Sequence, residues 1–452
     1  MSLPSPILAI CRDIGAHGGR ALVVGGYVRD EILGVDNKDL DFEVYGLTVE
    51  ELELILRRHG EVLAIGRSFG VLQIKGFDVD FALPRVDTKV SAGHKGFDVR
   101  VDPALDYAEA ARRRDLTINS MSLDPLTGEV LDPHGGRKDI AAKILRAVDP
   151  RYFADDPLRG LRVAQFAARF EMRPDPELTA LCASLDLSEL SAERVLGELE
   201  KLLLKAEKPS IGLEFLRETR LLRFFPELEC LVGLRQDPGW HPEGDVWTHT
   251  LMVVDQAARL RDGSASDLTF MLAALCHDLG KATTTTVDAD HIRSLSHEPE
   301  GARLTQAFLE RLKAPNALTI AVCVLVEHHL APTLLIDQKA SDKAFRRLAR
   351  QLEPAGVTLK LLERLCRADH LGRLTLEARA GSNPEGDAFL ERVRALAVAD
   401  AAPGDIVQGR HVLARGIDPG PAVGEILRRC RELQDETGWT DPDRILDSVL
   451  TR

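Results

Sequence analysis

The sequence predicts an α+β N-terminal part, built on a small mixed or antiparallel sheet with helices, followed by an all-α remainder. Two observations support this fold class. Short apolar runs that end on glycine or proline, as strands do, are concentrated in about the first 150 residues. Beyond that point apolar residues recur with helical spacing, as in PLRGLRVAQFAARF and ERVLGELEKLLLKA. Because 452 residues are many for a single core, two to four domains are expected.

The composition is that of an ordinary soluble globular protein, with 44% hydrophobic and 29% charged residues. We find no apolar run long enough to span a bilayer and no signal-like N-terminal segment, so no membrane partner is expected. The seven cysteines are scattered and form no C-x-x-C pair, which is typical of reduced thiols in a cytoplasmic protein. The net charge of −13 argues weakly against nucleic-acid binding but leaves room for a local basic surface.

Strand and helix patterns alternate in the N-terminal part. The run ALVVGG is short, apolar and stopped by two glycines, which predicts a buried strand entering a turn. YVRDEILG follows with helical spacing and ends on Gly34, a predicted C-cap. DFEVYG, VLQIKG and DVDFALP have strand patterns. Residues 86–99, VDTKVSAGHKGFDV, are polar and contain glycine, which predicts a flexible loop.

The helical remainder changes character along the chain. Asp156 followed by Pro157 is a good N-cap and N1 pair for its first long helix. Most of the histidines lie on helical patterns between about residues 241 and 400. We therefore predict four domains, which are a head at residues 1–150, a helical neck at 151–235, a helical body at 236–400 and a C-terminal tail at 401–452.

Three aspartates predict a metal site in the head. Asp39 and Asp41 are one residue apart, so in an extended chain their carboxylates point the same way and repel each other unless a cation or water screens them. Asp80 lies near the end of another predicted strand. Three carboxylates that converge on one sheet suit two Mg²⁺ ions for in-line phosphoryl or nucleotidyl transfer. A solvated strand end is the alternative for any single D-x-D pair.

The turn before these aspartates predicts a phosphate site. Gly25 and Gly26 stand between a predicted strand and a predicted helix, where exposed backbone N–H groups suit a phosphate. Arg29, one turn into the helix, can reach the same phosphate. An ordinary turn is the alternative when this feature is taken alone.

The stretch GGYVRDEILGVDNKDLDFEVYG resembles the signature of the class II tRNA nucleotidyltransferases, the CCA-adding enzymes of the DNA polymerase β-like superfamily. Further stretches resemble motifs of that family in the same order, namely RRRDLTINSM (112–121), LDPHGGRKDI (131–140), DDPLRGLRVAQFAARF (155–170) and ERVLGELEKLL (193–203). The similarity covers roughly residues 20–230. It implies a nucleotidyltransferase head with Mg²⁺ as its cofactor and a helical neck that selects the nucleotide.

The resemblance also implies roles for single residues. The catalytic carboxylates of the family match Asp39, Asp41 and Asp80, and the first two would bind Mg²⁺. Asp156 and Arg159 match the pair that hydrogen-bonds the Watson–Crick edge of the incoming CTP or ATP, an acceptor-only group beside a rigid donor fork. Together with the glycine turn, the candidate nucleotide-binding residues are Gly25, Gly26, Arg29, Arg114, Asp115, Asn119, Asp156, Arg159 and Arg162.

Two positions depart from the family pattern. Asp155 stands where the family usually has Glu, and Gln165 stands where it usually has Arg. Loss of that arginine is expected to weaken a phosphate contact or to alter base selection. Without the upstream motifs, Asp156 is best interpreted as a helix cap, and Arg159 and Arg162 as part of a solvated helix face.

The length of the predicted loop bears on which nucleotides are added. Residues 86–99 fill at full length the place of a loop that CC-adding relatives lack or shorten, so addition of both CMP and AMP is favoured. Partial addition stays open, because A-adding relatives keep the loop. Bacterial poly(A) polymerases share the head, but AIGRSFGVLQI lacks the second arginine of their apolar-GRRF stretch, which disfavours that alternative.

A second constellation lies in the helical body. His249, the adjacent His277 and Asp278, and Asp369 form an H…HD…D set. Two imidazoles and two carboxylates suit a transition metal such as Mn²⁺, Ni²⁺, Fe²⁺ or Co²⁺ better than Mg²⁺. The pattern resembles the HD phosphohydrolase superfamily. Further candidates for a second metal or for phosphate binding, with core or helix-cap roles as the alternative, are His297, His328 and His329.

An HD domain behind a CCA-adding head resembles the multifunctional type of bacterial CCA-adding enzyme, whose HD part carries phosphatase and 2′,3′-cyclic phosphodiesterase activities. The resemblance implies tRNA, CTP and ATP as partners, with the protein a monomer or a homodimer. Two rival hypotheses stay open at this point. One is an enzyme whose main activity is the HD hydrolase, and the other is a non-catalytic RNA-binding module with both sites degenerate.

Overall fold

The computed structural model describes residues 3–37, 39–66, 71–89, 97–288 and 291–451. It divides into two compact units, Met1–Leu202 with Ile211–Phe224, and Leu203–Ser210 with Phe225–Arg452. The predicted fold class is confirmed, because the large sheet lies in the first unit and helices dominate the second. The finer boundaries at residues 150, 235 and 400 stay predictions.

The first unit is built on a mixed sheet. The strands up to residue 131 are β1 (Arg20–Val24), β2 (Leu40–Tyr45), β3 (Val62–Gly66), β4 (Val71–Ile74), β5 (Val79–Ala82), β6 (Arg85–Lys89), β7 (Phe97–Val101), β8 (Ser122–Leu123) and β9 (Val130–Leu131). Seven of them form one sheet in the order β3-β4-β5-β2-β1-β8-β9. Within it β2 and β5 run parallel, whereas the other neighbours run antiparallel.

The strands β6 and β7 form a separate antiparallel pair. This corrects the loop predicted over residues 86–99, because residues 86–89 and 97–99 belong to these strands. Alternating valine and threonine in RVDTK and alternating apolar residues in FDVRV favour extended backbone despite the polar composition. The centre of that predicted loop, residues 90–96, and residues 67–70 of AIGRSFGVLQI lie outside the described residues.

Helices pack on this sheet and continue the chain beyond it. They are α1 (Ser5–Ala16), α2 (Gly26–Leu33), α3 (Val49–Leu56), α4 (Tyr107–Ala111), α5 (Gly136–Ala142), α6 (Pro150–Phe153), α7 (Leu158–Phe170), α8 (Pro176–Ala183), α9 (Ala192–Lys205) and α10 (Pro209–Glu218). Thr117–Asn119 form a short 3-10 helix, and β10 (Ile144–Leu145) pairs in parallel with β11 (Arg173–Pro174). The predicted C-cap of α2 is confirmed, because Gly34 takes the left-handed conformation with φ of 71°.

The core of the first unit fixes the register of the sheet. Phe42 of β2 and Phe81 of β5 are register partners, and their stacked rings lie 5.1 Å apart between centroids. Both rings are buried, and burial of such a side chain contributes about 1.5–3 kcal/mol. Because side chains alternate along a strand, the neighbouring pair Asp41 and Asp80 must point to the opposite face.

The second unit is helical, with one small hairpin. Its elements are α11 (Pro226–Glu229), α12 (Val246–Arg259), α13 (Asp267–Cys276), α14 (Lys281–Thr284), β12 (Thr285–Val287), β13 (Ile292–Ser294), α15 (His297–Arg311), α16 (Asn316–His328), α17 (Ala331–Asp337), α18 (Asp342–Leu352), α19 (Leu359–Leu371), α20 (Leu376–Arg379), α21 (Pro384–Ala395), α22 (Gly409–Leu413), α23 (Pro421–Thr437) and α24 (Pro442–Leu450). Helix α13 is central, because it packs on α12, α16 and α19 and residues 270–276 are all buried. A helix that is apolar on every side is expected at such a position.

One segment departs from the expectation that no apolar run reaches the length of a bilayer. Asn316–Asp337 is long and apolar enough by composition. In the structure it comprises α16 and α17, which are separated by a turn at His329 and Leu330. Val322, Leu325 and Val326 are fully buried, and α16 packs on α13 and α15. One face of α16 therefore packs in the core of the second unit, whereas 39% of the most apolar window of the segment is buried.

Candidate active sites

Two carboxylates lie side by side where β2 and β5 run parallel. Asp41 is the register partner of Asp80, and Asp39 immediately precedes β2. The pKa of Asp41 is raised by burial of its carboxylate and by the charge of Asp80, with a further rise from Asp39, while Arg114 opposes the shift. A divalent cation relieves such crowding of negative charge, and carboxylate oxygens are the ligands that Mg²⁺ prefers. The carboxylates of Asp41 and Asp80 are therefore of the kind that binds a divalent cation, but Asp39, Asp41 and Asp80 do not form one of the clusters of metal-binding atoms within 4.8 Å among the described residues.

Hydrogen bonds orient two of these three aspartates. The side-chain amide of Gln73, on the neighbouring strand β4, donates to Asp80 Oδ1. The backbone N–H of Asp39 donates to Asn37 Oδ1 at 2.9 Å. Asp39 and Asp41 keep solvent-exposed surface, so a ligand can approach both, although neighbouring groups partly desolvate the carboxylate of Asp41. Gln73 was not among the predicted residues, because its relation to Asp80 depends on the pairing of two strands.

The glycine turn before α2 is shaped for a close approach. Gly25 has a φ of 74°, which favours glycine, and a Cβ at this position would lie 3.1 Å from Arg114 Nη1. Helix α2 begins at Gly26, so the first N–H groups of α2 have no partner within the helix. The structure thus places Gly25, Gly26 and Arg114 together, as a phosphate site requires.

Arg29 is held more firmly than the sequence suggested. Its side chain is buried, its Nε donates to Asp30 Oδ1 at 2.7 Å, and its Nη1 donates to Asn119 Oδ1 at 2.6 Å. The guanidinium also lies over the rings of Phe166 and Phe170, at 5.1 and 4.7 Å from their centroids. Arg29 therefore links α2, the 3-10 helix and α7, and it presents only part of its donor fork to a ligand.

Asp115 is buried and forms an ion pair with Arg162, whose side chain is partly exposed. Arg162 Nε donates to Asp115 Oδ2 at 2.7 Å, and Asn119 Nδ2 donates to Asp115 Oδ1 at 2.9 Å. Although burial alone would raise it, the pKa of Asp115 is lowered to about 2, chiefly by the charge of Arg162 and the hydrogen bond from Asn119. The alternative of a solvated helix face is therefore wrong for Arg162, whose pKa is raised by Asp115.

The pair Asp156 and Arg159 is held at the start of α7. Arg159 donates from Nη1 to Tyr152 O at 2.6 Å and from Nη2 to Arg113 O. Asp156 Oδ2 accepts from Arg194 Nη2 at 2.7 Å, and its Oδ1 accepts from the N–H of Leu158 at 3.2 Å. The helix begins at Leu158, one residue later than predicted, because Pro157 takes the N-cap position and Asp156 precedes it. Asp156 still satisfies a free N–H of the first turn.

These residues line one cavity of about 380 Å³ in the first unit. All nine candidate nucleotide-binding residues and Asp41 contribute to its wall, whereas Asp39 and Asp80 are not among the lining residues. Three residues that the sequence reasoning missed also line it, namely Arg113, Leu158 and Arg194. Arginines outnumber aspartates in the wall, which suits a highly charged anion such as a triphosphate.

The two departures from the family pattern lie in different surroundings. Gln165 is 2% exposed on α7, its Nε2 has no hydrogen-bond partner within the described residues, and it is not among the residues that line the cavity. Asp155 is half-buried beside Asp156. An uncharged side chain at position 165 therefore acts on the cavity only through the packing of α7.

In the second unit the predicted HD residues converge. His249 lies on α12, which Asp245 caps by accepting from the N–H of Thr248 at 2.9 Å. His277 and Asp278 follow α13 directly, and Asp369 lies on α19. The shortest distances among the four predicted ligands are 3.0 Å for His249 Nε2 to Asp369 Oδ1 and 3.2 Å for His277 Nε2 to Asp278 Oδ2. All four predicted ligands are buried.

The histidines of this cluster are fixed in one tautomer. His277, His297 and His329 each donate from Nδ1 to a backbone carbonyl, of Ala274, Ser294 and Val326, at 2.9, 2.9 and 2.7 Å. Their Nε2 atoms face the cluster, where those of His277 and His297 lie 3.2 and 3.5 Å from oxygens of Asp278 without forming an aligned hydrogen bond among the described residues. Although burial alone would lower it, the pKa of His277 is raised by the charge of Asp278. Burial lowers the pKa of His329 to about 3. Neutral imidazole with a bare Nε2 is the form that binds a metal.

The further histidines behave differently from one another. His297 Nε2 lies 3.5 Å from Asp278 Oδ1, and ligand atoms of Asp278, His297 and His329 all lie within 4.8 Å of one another. His328 does not belong to the described clusters of metal-binding atoms and stays at the end of α16. The hydrogen bond from His329 to Val326 O also supports the helix-cap role considered from the sequence.

The sequence reasoning missed a carboxylate beside His249. Glu243 Oε1 lies 2.8 Å from Nδ1 of both His241 and His249, and Glu243 Oε2 accepts from the N–H of Leu374 at 3.1 Å. Burial lowers the pKa of His241 to about 4. The stretch HPEGD contained the signal, because a histidine and a glutamate stand just before the predicted ligand helix.

A cavity of about 420 Å³ opens onto this cluster. Its wall includes Asp278, Asp369, His297 and His329, with Lys281 beside them. Lys281 Nζ lies 2.7 Å from Asp278 Oδ2, and Arg373 Nη2 lies 3.0 Å from Asp369 Oδ2. These cations and the neighbouring histidines hold the pKa values of Asp278 and Asp369 well below their usual range, although burial opposes this. The donor set of histidines and ionised carboxylates fits a divalent metal.

Comparisons with protein families match three parts of the chain. Residues 21–146 match the family described as "Poly A polymerase head domain", residues 178–231 match "Probable RNA and SrmB- binding site of polymerase A", and residues 246–401 match "HD domain". The first match contains Asp39, Asp41 and Asp80, and the last contains His249, His277, Asp278 and Asp369.

Similar proteins are found over most of the chain. A multifunctional CCA protein of Cupriavidus necator is 37% identical, over 84% of this chain and 91% of that protein. One of Thioalkalivibrio sulfidiphilus is 36% identical, over 91% of this chain and 97% of that protein. Among solved structures, the Bacillus stearothermophilus CCA-adding enzyme in complex with CTP gives a TM-score of 0.67 at 23% identity, covering 100% of this chain and 98% of that one. Thermotoga maritima CCA-adding enzyme complexed with tRNA gives a TM-score of 0.61 at 18% identity, covering 99% of this chain and 96% of that one. The structures share the fold.

Proposed function

Because this chain belongs to the family of multifunctional CCA proteins, we propose that it adds CMP and AMP to the 3′ ends of tRNA, from CTP and ATP and without a nucleic-acid template. The observation that carries the proposal is the single cavity in which Asp41, the glycine turn, and the pair Asp156 and Arg159 meet. A cytoplasmic location belongs to the same proposal, since tRNA is the substrate.

The head supplies positions for the metal and for the triphosphate. Asp39, Asp41 and Asp80 are the residues that would hold Mg²⁺, which when bound neutralises phosphate charge and activates the attacking 3′-hydroxyl. Arg114 and the turn at Gly25 and Gly26 face the same cavity, so phosphate oxygens can approach the backbone where no Cβ intervenes. The chain itself thus orients the reactants and offsets their charge.

Asp156 and Arg159 are proposed to choose the base. Cytosine and adenine both offer an amino group as a donor, which an acceptor-only carboxylate such as Asp156 can bind. Arg159 uses one N–H on each Nη for backbone carbonyls, so other N–H groups of its planar fork remain for a ring nitrogen. The rigid attachment of both side chains supports selection of two related bases in place of a template.

Incorporation of labelled nucleotides tests this function. A tRNA that lacks its CCA end is incubated with labelled CTP and ATP, with the wild type and with the double variant Asp39→Ala/Asp41→Ala. We expect incorporation by the wild type, and a loss of at least about 1000-fold in the variant because Asp80 is then the only one of the three carboxylates left to hold Mg²⁺. The matched control is Asp36→Ala, an exposed carboxylate outside the cavity. No incorporation by the wild type would contradict the proposal.

We further propose that the second unit is a metal-dependent phosphohydrolase acting as a phosphatase and 2′,3′-cyclic phosphodiesterase. The supporting observation is the buried ligand set in which His277 Nε2 lies 3.2 Å from Asp278 Oδ2 and His249 Nε2 lies 3.0 Å from Asp369 Oδ1. Mn²⁺, Ni²⁺, Fe²⁺ or Co²⁺ is proposed for His249, His277, Asp278 and Asp369. Asp278, His297 and His329 offer donors for a second ion or a phosphate.

Hydrolysis of a 2′,3′-cyclic phosphate tests the proposed phosphohydrolase activity. The metal-loaded protein is incubated with adenosine 2′,3′-cyclic phosphate, with His277→Ala as the inactive variant and His328→Ala as the control at the end of α16. We expect hydrolysis by the wild type and the control, and none by His277→Ala. If His277→Ala hydrolyses the substrate as the wild type does, the site lies elsewhere.

A further inference from the structure

One tryptophan of the second unit is exposed to solvent at the edge of the HD cavity. Trp240 is 70% exposed, yet it lies among the residues that line the cavity. The other two tryptophans are covered, since Trp247 is 2% exposed and Arg444 lies 3.6 Å from the ring centroid of Trp439. Single exposed apolar side chains are common on protein surfaces, but Trp240 is a large aromatic ring at the edge of a cavity, where it can contact a ligand.

The backbone holds Trp240 in a defined turn. The N–H of Trp240 donates to Asp237 O at 3.2 Å, and the N–H of His241 donates to the same carbonyl at 2.9 Å. Asp237 Oδ1 also accepts from the N–H of Gly239 at 2.8 Å. The next residue, His241, is bound by Glu243, so the turn is tied to the metal-binding cluster. Trp240 is therefore positioned by contacts that do not involve its own ring.

The side chains that line the cavity are mostly polar in its interior and partly apolar at its opening. Most of its buried side chains are charged or polar, among them Asp278, Asp369, His329 and Lys281. Its less buried side chains include apolar ones, such as Leu334 at 43% exposed. A free phosphate would use only the polar depth. A ligand that uses both parts carries a phosphate at one end and a flat apolar group at the other.

We propose that Trp240 is a stacking platform for the nucleobase of the nucleotides that the HD site hydrolyses. This inference rests on the proposed phosphohydrolase function and adds to it a residue that determines specificity. The phosphate lies beside the ligand cluster, where Lys281 and Arg373, which pair with Asp278 and Asp369, supply N–H donors. The base lies on Trp240, since every base has a face that stacks on an aromatic ring.

The bonds that form and break are those of an ordinary hydrolysis at phosphorus. A water oxygen forms a new bond to phosphorus, one bond between phosphorus and a ribose oxygen breaks, and that ribose oxygen leaves with a proton from the water. Trp240 takes no part in these bonds. Its role is to lower KM for substrates with a base, while substrates without a base gain nothing from it.

Steady-state kinetics on two substrates test the inference with the metal-loaded full chain. The substrates are adenosine 2′,3′-cyclic phosphate and glycerol 2-phosphate, which has no base, and the variants are Trp240→Ala and Trp240→Phe. We expect Trp240→Ala to raise KM for the nucleotide about tenfold with little change in kcat, and to leave glycerol 2-phosphate unaffected. Trp240→Phe should recover most of the loss. Leu376→Ala, at an 87% exposed position outside the cavity, should change neither substrate.

Binding gives a second readout that does not depend on turnover. Titration with adenosine 2′-phosphate should quench the tryptophan fluorescence of the wild type, and this quenching should disappear in Trp240→Phe, which keeps Trp247 and Trp439. An RNA ending in a 2′,3′-cyclic phosphate, used in parallel, shows whether the nucleoside comes from an RNA end or from a free nucleotide.

The outcomes separate the inference from the function on which it rests. If the wild type hydrolyses neither substrate, the phosphohydrolase proposal fails, and the fluorescence titration still decides whether Trp240 binds a nucleoside. If Trp240→Ala impairs both substrates equally, Trp240 has only a structural role and the inference is overturned. Equal quenching in the wild type and in Trp240→Phe overturns it as well.

Discussion

Asp41 and Asp80 lie directly opposite each other on the parallel strands β2 and β5, one step along from the stacked rings of Phe42 and Phe81. One register therefore buries two rings in the core and gathers two negative charges on the opposite face. The raised pKa of Asp41 is the electrostatic consequence of burial and of that neighbour. At position 41 the proposed function needs an ionised carboxylate, whereas the stability of the fold is lowered by that charge.

The variant Asp41→Asn separates these demands. Because the pKa of Asp41 is raised, its ionised form costs free energy in the folded protein, and this cost is present at pH values above the raised pKa. In EDTA at pH 8 we expect a higher melting temperature for Asp41→Asn than for the wild type, measured by thermal unfolding. Nucleotide incorporation should fall at least about 100-fold. Asp36→Asn, an exposed carboxylate, should change neither quantity, and a lower melting temperature for Asp41→Asn would contradict the account.

Arg194 is expected to control the base-selecting pair through Asp156. The two residues are 38 positions apart in the chain, and Arg194 Nη2 lies 2.7 Å from Asp156 Oδ2. In Arg194→Gln the carboxylate loses this partner and its fixed direction, so discrimination between CTP and ATP should change about tenfold.

The measurement is kcat/KM for CTP on tRNA lacking CCA and for ATP on tRNA ending in CC. The matched control is Arg217→Gln, a partly exposed arginine of α10 that does not line the cavity. An equal loss with both nucleotides would assign Arg194 to general nucleotide binding rather than to base selection.

The ion pair between Asp115 and Arg162 is expected to stabilise the first unit in a pH-dependent way. The pKa of Asp115 falls from 3.8 to about 2 on folding, which corresponds to about 2 kcal/mol. A lowered carboxylate pKa means that this stability is present above about pH 4 and is lost as the pH falls toward 2.

Urea unfolding of Asp115→Asn checks this sign. At pH 7 the variant should be less stable than the wild type by about 2 kcal/mol, and the difference should shrink as the pH is lowered from 4 toward 2. A difference that stays constant over this range would show that packing, and not the charge of Asp115, determines the effect.

Glu243 is expected to tune metal binding by the HD cluster. Its Oε1 lies 2.8 Å from His249 Nδ1, so it holds the tautomer in which His249 Nε2 faces Asp369. We expect Glu243→Gln to weaken metal affinity about 10- to 100-fold, measured by competition with a chromogenic chelator. Glu298→Gln, beside His297 but outside the four predicted ligands, serves as the control. Unchanged affinity in Glu243→Gln would remove Glu243 from the site.

Sequence reasoning reached the parts of the site that depend on local pattern. Asp39 and Asp41 followed from the period of a strand, the glycine turn followed from a strand running into a helix, and the HD ligands followed from spacing on helices. Arg194 and Glu243 were missed for a physical reason. Each acts through a side-chain contact with a residue of another element, and such contacts follow from packing rather than from local periodicity.

The structure also changed the interpretation of some residues that were predicted. Arg29 is predicted to reach a phosphate and does line the cavity, but its guanidinium is also held between Asp30, Asn119 and two phenylalanine rings. Amphipathic spacing shows that an arginine belongs to a helix, but it does not show whether the space beside it is water or another ion pair. Arg162 illustrates the second case, since it pairs with Asp115.

The length and sequence of the tRNA product test the central claim most directly. Wild-type protein is incubated with CTP, ATP and Mg²⁺ and with a tRNA that ends before CCA, and the extended 3′ ends are resolved by size and sequenced. The account predicts a product that gains C, C and A in that order and then stops. A product that gains only C residues or only one A would limit the enzyme to partial addition, and a long run of A residues or no extension at all would contradict the account.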